Sequence, residues 1–202
     1  MASQPDHPRR RDAASTRARI LAAARQCFAE VGYAGTGIRD IAALAGVSYT
    51  MLGRYYGSKA GLLEAALIDS TSMDPVIAAD RARFGEHLAA LVTRNLEDGQ
   101  QTAMTLLAAA DPVAREIALR VVEERGVQPL AAWIGEPHAR ERAIAIMMLG
   151  GGFVTYSQHL PLLAGPFGPA HAMTRWLAQA FQQIIDEPEA WRDFSGPLAP
   201  AR

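Results

Sequence analysis

At 202 residues, half of them apolar and a fifth charged, the chain can bury a core as one large domain or two small ones. No apolar run reaches the roughly 18 residues of a membrane span, and the N-terminal MASQPDHPRRRDAAS carries charge where a secretory leader needs an apolar stretch, so a cytoplasmic protein with no membrane contact is expected. The net charge is −1, yet residues 1–60 hold nine basic residues against four acidic ones, which leaves −6 for the remainder; a basic front end on an acidic body favours a polyanion partner over an evenly solvated surface.

In chain order, residues 1–12 contain Pro5, Pro8 and the Arg9–Arg11 cluster without apolar periodicity and read as a disordered basic arm. From about Ala13 the pattern is helical, with Ile20, Ala24, Cys27, Phe28 and Val31 on one face and Gly32 as the stop. Cys27, the single cysteine, has no internal partner for a disulfide and fits a reducing compartment as a small core residue. Thr36 is placed to cap a short helix whose buried face is Ile38, Ile41, Ala42 and Ala45, and Gly46 ends it. Ser48 is a second N-cap, followed by an apolar stripe of Met51, Leu52 and Tyr55; Gly57 breaks that helix. Ser58 caps the next, carrying Leu62, Leu63, Ala66 and Leu67.

Asp74-Pro75 marks a boundary between a first domain over 13–70 and a second over 75–186. The second reads as helices over about 75–96, 102–110, 111–133, 138–160 and 169–185, with start signals at Asp111-Pro112 and Glu136-Pro137 and a loop from Pro161 to Pro169. A Pro-rich tail covers 187–202, in which Trp191 and Phe194 are the residues able to hold it to the body. No strand pattern and no repeat appears, so the expected class is all-α: a three-helix N-terminal unit with a helix-turn-helix, plus a larger helical domain.

A helix-turn-helix needs a small residue where two helices cross, a glycine in the turn, and apolar anchors on each helix. Ala42, Gly46, and the set Ile41, Ala45, Val47, Leu52 and Tyr55 supply these in register within the basic part of the chain. An ordinary helical hairpin in a core is the alternative. The segments TRARILAAARQCFAEVGY, TGIRDIAALAGVS and LGRYYGSKAGLLEAAL, from Arg17 to Leu67, resemble the DNA-binding domain of the TetR family of bacterial transcriptional repressors. The resemblance implies an all-helical homodimer that binds double-stranded operator DNA. It also implies a divergent C-terminal domain that binds a small-molecule effector and dimerises through its last two helices.

On that resemblance, Ser48, Tyr49 and Thr50 begin the recognition helix that enters the major groove. Tyr49 and Thr50 can meet a thymine methyl or a phosphate. Arg39 sits where the family can reach a base, with a surface ion pair to Asp40 or Glu30 as the alternative. Thr36 and Ser48 offer hydroxyls and free N–H groups at helix starts for phosphate. Arg54, Tyr55 and Lys59 match positions that hold the DNA backbone, and a lysine opening a helix opposes the macrodipole unless an anion meets it. The Arg9–Arg11 cluster reads either as a minor-groove arm or as a solvated tail. The sequence departs from the family at Gly53, where a backbone-touching tyrosine is usual, and at Gly37, where Thr or Ser is preferred.

No catalytic constellation is present: the five histidines lack metal-ligand spacing, and Gly150–Gly152 is not followed by the Lys-Ser/Thr of a phosphate loop. Neither an enzyme nor a cofactor is expected. Candidate lining for an effector cavity comprises His87, Met104, Trp133, Met147, Phe153, Tyr156 and His159, with plain core packing as the alternative for each. The expected function is a ligand-responsive repressor on a palindromic operator, released by an apolar or amphipathic effector. A DNA-binding activator, or a regulator without a ligand, is the alternative.

Overall fold

The computed structural model describes residues 7–78, 80–94, 96, 99–163 and 165–195, with side chains from residue 13 to 191. Among them the chain is helical, without a strand. The helices are α1 (His7–Gly35), α2 (Ile38–Ala45), α3 (Tyr49–Tyr56), α4 (Lys59–Ser70), α5 (Asp74–Ile77), α6 (Phe84–Arg94), α7 (Gln100–Ala108), α8 (Pro112–Val122), α9 (Gln128–Ile134), α10 (Ala139–Val154) and α11 (Ala172–Asp186). Of the arm expected over 1–12, residues 1–6 lie outside the described residues, and α1 begins at His7, earlier than the periodicity indicates.

Contacts divide the chain into two compact units. The first joins the chain up to Thr71 with Gln100–Val121; the second joins Ser72–Gly99 with the chain from Val122. The sequence assigned 75–186 to the second domain, but α7 and α8 complete the core of the first. Met104, Ile117 and Val121 are buried there with Ile20, Phe28, Ile41, Leu52, Leu62 and Leu67. Polar links hold the same packing. Arg25 of α1 pairs with Asp69 of α4, Arg120 of α8 pairs with Glu64 of α4 at 2.8 Å, and Gln101 donates to the Thr71 hydroxyl at 3.1 Å.

Within this unit the helix ends follow local chemistry. Gly32 (φ 68°) kinks α1 three residues before its end, Gly46 (φ 63°, ψ 39°) closes α2 in the left-handed region, and Gly57 (φ 70°) closes α3. Ser58 caps α4 by accepting from Gly61 N, and Asp111 caps α8 by accepting from Val113 N and Ala114 N. Two apolar assignments fail. Val31 is 57 % exposed because Gly32, four residues past Phe28, continues the buried stripe. Met51 is also exposed, leaving Leu52 as the buried residue of α3.

The second unit packs α6 on α11, with α9 and α10 alongside, around Phe84, Leu88, Leu130, Ile146, Phe153, Leu177 and Phe181. The single helix expected over 75–96 is instead α5, a 3-10 turn at Arg81–Arg83, and α6. Asp80 is the cause: its carboxylate accepts from Ala82 N at 3.1 Å and restarts the helix. Between α8 and α9, Glu123–Val127 is π-helical. Pro129 explains it, having no N–H for the Arg125 carbonyl and a ring that crowds it. Glu136-Pro137 does not cap α10, whose N-cap is His138, and α11 opens from His171, whose Nδ1 accepts from Met173 N, instead of from Pro169. In the tail, a 3-10 helix covers Pro188–Ser195 and leaves Trp191 half-buried; Phe194's side chain lies outside the described residues.

Two contacts fix this unit. Arg142 is 1 % exposed and forms no ion pair among the described residues; its guanidinium donates to the carbonyls of Ile184 (2.8 Å), Ile185 (2.9 Å), Pro137 (3.2 Å) and Gly135 (3.3 Å). Burial, and next the nearby Arg81 charge, hold its pKa below the ordinary guanidinium value. Gly85 lets α6 and α11 touch. A Cβ there would stand 2.1 Å from the Ala178 carbonyl oxygen, and the Gly85 N–H donates to Gln182 Oε1 at 2.9 Å.

Gly85→Ala is expected to destabilise the protein by roughly 1–3 kcal/mol, because the helices must part. Arg142→Met strands four buried carbonyls and is expected to remove roughly 3 kcal/mol or more. Chemical denaturation midpoints check both.

Candidate nucleic-acid interface

α2 and α3 cross through small and apolar side chains: Ile41, Ala42 and Ala45 are buried on α2, and Leu52 on α3. The turn between them is rigid. Val47 N donates to the Ala42 carbonyl at 3.0 Å and Gly46 N to the Ala43 carbonyl at 3.1 Å. With Leu52 buried and Tyr55 and Tyr56 half-buried, α3 presents its other face to solvent, including Ser48 before it, Tyr49 (54 % exposed), Thr50, Gly53 and Arg54. Ser48 is the N-cap residue, but its hydroxyl pairs with the Thr50 hydroxyl at 3.1 Å and makes no cap bond. The first N–H groups of α3 therefore face solvent unblocked, which suits an anion.

Cations surround this helix, each laid on a tyrosine ring. Arg39 lies 6.0 Å from the Tyr49 ring centre, Arg17 5.3 Å from Tyr55, and Lys59 4.5 Å from Tyr33. A ring face holds a cation in place without neutralising it, so the charge stays available to a phosphate. Arg39 takes this arrangement and forms no ion pair among the described residues, so the Asp40 or Glu30 alternative is not realised. Lys59 also donates to the Ala34 carbonyl at 3.5 Å, near the negative end of α1. Its place at the start of α4 thus has a structural reason besides phosphate. Arg54 is exposed, and Tyr55 is half-buried under Arg17. The sequence does not single out Arg17, because its place above Tyr55 depends on how α1 packs on α3; its only sequence signal is its position in the basic front end.

Thr36 does not cap α2. The N-cap is Gly37, and the Thr36 side chain is buried, donating to the carbonyls of Gly32 (2.6 Å) and Cys27 (3.1 Å). Its hydroxyl closes the end of α1 and is not free for DNA. Burial raises the pKa of Tyr33 and of Tyr56, with Asp111 adding to the first, so both phenols remain protonated donors at neutral pH. Burial, then Glu30 and Asp40, raise that of Cys27, which stays an inert thiol. Gly53 has no atom within 4 Å of where a Cβ would stand, and it borders a shallow depression together with Tyr49, Tyr56 and Gly57.

The seven candidate effector contacts do not form one group. Met104 is buried in the first unit's core. In the second unit, His87 donates from Nε2 to the Pro75 carbonyl at 2.6 Å, Trp133 stacks on Phe84 at 4.8 Å under Arg81, and Met147 packs on Gly126. Phe153 meets Phe167 edge to face at 5.1 Å, while Tyr156 and His159 are exposed. Among the described residues, no group of three or more His, Cys, Asp or Glu side chains is placed to hold a metal, and no helix is long and apolar enough to cross a membrane.

The sequence matches two family models: bacterial regulatory proteins of the tetR family over residues 20–66, and the tetracyclin repressor-like C-terminal domain over residues 82–185. No curated protein matches it. Among solved structures, a TetR-family regulator from Streptomyces coelicolor A3 is 23% identical, with 92% of this chain and 99% of that one covered and a TM-score of 0.55. Salmonella enterica GusR is 21% identical over 86% and 94%, with a TM-score of 0.61. The fatty acid degradation regulator FadR from Bacillus halodurans is 16% identical over 82% and 93%, with a TM-score of 0.65.

Gly53→Ala fills open space on an exposed helix and is expected to stabilise the protein by about 1 kcal/mol through helix propensity, read as a raised Tm.

Proposed function

Because the chain belongs to the TetR family, whose regulators bind DNA and dimerise, we propose that it is a ligand-responsive transcriptional repressor acting as a dimer on a palindromic operator. The observation that carries the reading is the solvent-facing start of α3. Ser48, Tyr49 and Thr50 project from it beside unblocked N–H groups, with Arg17, Arg39, Arg54 and Lys59 around it. Tyr49 and Thr50 read base edges in the major groove, Arg39 reaches a base or the adjoining phosphate, and Ser48, Arg54, Tyr55, Lys59 and Arg17 hold the backbone. Without a tyrosine at Gly53, these residues carry a larger share of the backbone contact.

Dimerisation is assigned to α10 and α11. Met148 (70 % exposed), Gly151, Gly152 and Tyr156 (49 % exposed) follow one another at helical spacing, and neither glycine has a neighbour within 4 Å of a Cβ position. Trp176 of α11 is also half exposed. Large apolar side chains beside bare backbone suit the close crossing of a second copy. The two recognition helices then stand about one DNA turn, roughly 34 Å, apart on a two-fold operator. An apolar or amphipathic effector in the second unit releases DNA by favouring a pose with the wrong spacing, which requires different affinities for the two poses. The ring contacts Phe84–Trp133 (stacked) and Phe153–Phe167 (edge to face) favour a second reading, in which side chains fill the body and no ligand acts. A heat signal with lipophilic compounds separates the two.

Gel shifts with the intergenic DNA flanking the gene are expected to show specific, salt-dependent binding; affinity no greater than for random DNA would end the repressor reading. Tyr49→Ala with Thr50→Ala is expected to abolish sequence preference. Lys59→Ala or Arg17→Ala is expected to weaken all DNA alike and to lower the salt slope by about 1.

A further inference from the structure

α3 carries an apolar side chain on its solvent side that neither the core nor the contacts assigned above employ. Met51 is 37 % exposed, although Leu52, Tyr55 and Tyr56 of the same helix pack inward. It is the third residue of α3, in the turn that a helix-turn-helix presents to base edges. Tyr49 and Thr50 before it are exposed as well, so every side chain of that turn ahead of Leu52 is open to solvent.

The other groups on this surface narrow what the turn can distinguish. In the major groove, Asn or Gln reads adenine in bidentate fashion, and Asp or Glu accepts from the cytosine amino group. α3, with the sequence YTMLGRYY, has none of these residues. The hydroxyls of Ser48 and Thr50 pair with each other at 3.1 Å, and a hydroxyl bonds to donors and acceptors alike. Guanine belongs to arginine, which Arg39 and Arg54 supply. The base feature left for Met51 is the apolar group of the major groove, the C5 methyl of thymine. Gly53, in the following turn, has no atom within 4 Å of its Cβ position, so bare backbone can lie close to the duplex there.

We infer that Met51 is a specificity-determining residue, packing its thioether side chain on the C5 methyl of a thymine in each half of the operator. The inference rests on the operator-binding reading and gives that operator a chemical feature: at the base pair facing Met51 the protein reads a methyl group. An unbranched, polarisable side chain suits the contact, because it adapts its shape to the methyl and brings no strong polar group that must be satisfied. Removing one methyl from water in this way is worth a factor of roughly four in affinity.

The test uses the full-length protein and the tightest-binding duplex that it selects from a random DNA library. Each thymine of one half-site is replaced in turn by deoxyuridine, which removes the methyl and keeps the base pairing. Wild type is expected to lose roughly fourfold in affinity at one of these positions at least. Met51→Ala is expected to bind the thymine duplex roughly fourfold more weakly than wild type and to bind thymine and uracil alike at that position. Met51→Leu, which keeps an apolar side chain, is expected to retain the preference. The readout is each protein's own ratio of thymine to uracil affinity, so any change in the folded fraction cancels. The inference would be overturned if no uracil substitution weakened wild type. It would also be overturned if Met51→Ala kept the full discrimination at every sensitive position, which would leave the methyls to Tyr49 and Thr50. The operator-binding reading fails separately, and this inference with it, if selection enriches no sequence over random DNA.

Discussion

The carbonyl ends of the helices impose the constraint on which this all-helical chain depends. Each α-helix leaves its last four carbonyls without internal partners, and burying such an end requires a donor from elsewhere. In the first unit the donors are close at hand. Glycines at positive φ turn the chain back on itself at Gly46 and Gly57. The Thr36 hydroxyl covers Gly32 and Cys27, and Lys59 covers Ala34. In the second unit the donors are arginines from distant positions. Arg142 closes α11 and the turn after α9, while Arg81 donates to the carbonyls of Trp133 (3.1 Å) and Ile134 (2.7 Å). A guanidinium serves because it carries several donors in one plane and its charge complements the negative end of a helix.

That difference bears on function. Local closure makes the α2–α3 turn short, so α3 is held by backbone geometry and by Leu52, with Val47, Tyr55 and Tyr56 packed beside it. The exposed side of α3 is then free of packing demands, and even tolerates a glycine that weakens the helix. Tyrosine faces hold Arg17, Arg39 and Lys59 near that surface while leaving their charge intact. In the second unit, closure from afar ties α9, α10 and α11 into one polar node at Arg142. The opposite end of α10 departs from regular geometry at Thr155–His159, where Ser157 is left without a partner. One end of that helix is over-determined and the other is not.

The sequence by itself determined the parts of this protein governed by near neighbours. Gly46 and Gly57 were readable as stops and Ser58 and Asp111 as caps, because turn conformation and capping are settled within four residues. The helix-turn-helix followed from spacing alone, and the family followed from three helices in register. Tertiary structure decided the rest. Met104 carries the same helical periodicity in either unit, and only packing shows that α7 and α8 complete the first core. Thr36 is a sound cap by composition, yet two carbonyls of α1 take its hydroxyl first. Arg142 belongs on the surface by every rule of composition, and it is buried because helix ends 42 and 43 residues away needed donors. Arg17 lies over Tyr55 of α3 only because α1 packs there. A side chain's local preference fixes what it can bond, while the packing of distant helices fixes which of those bonds is made.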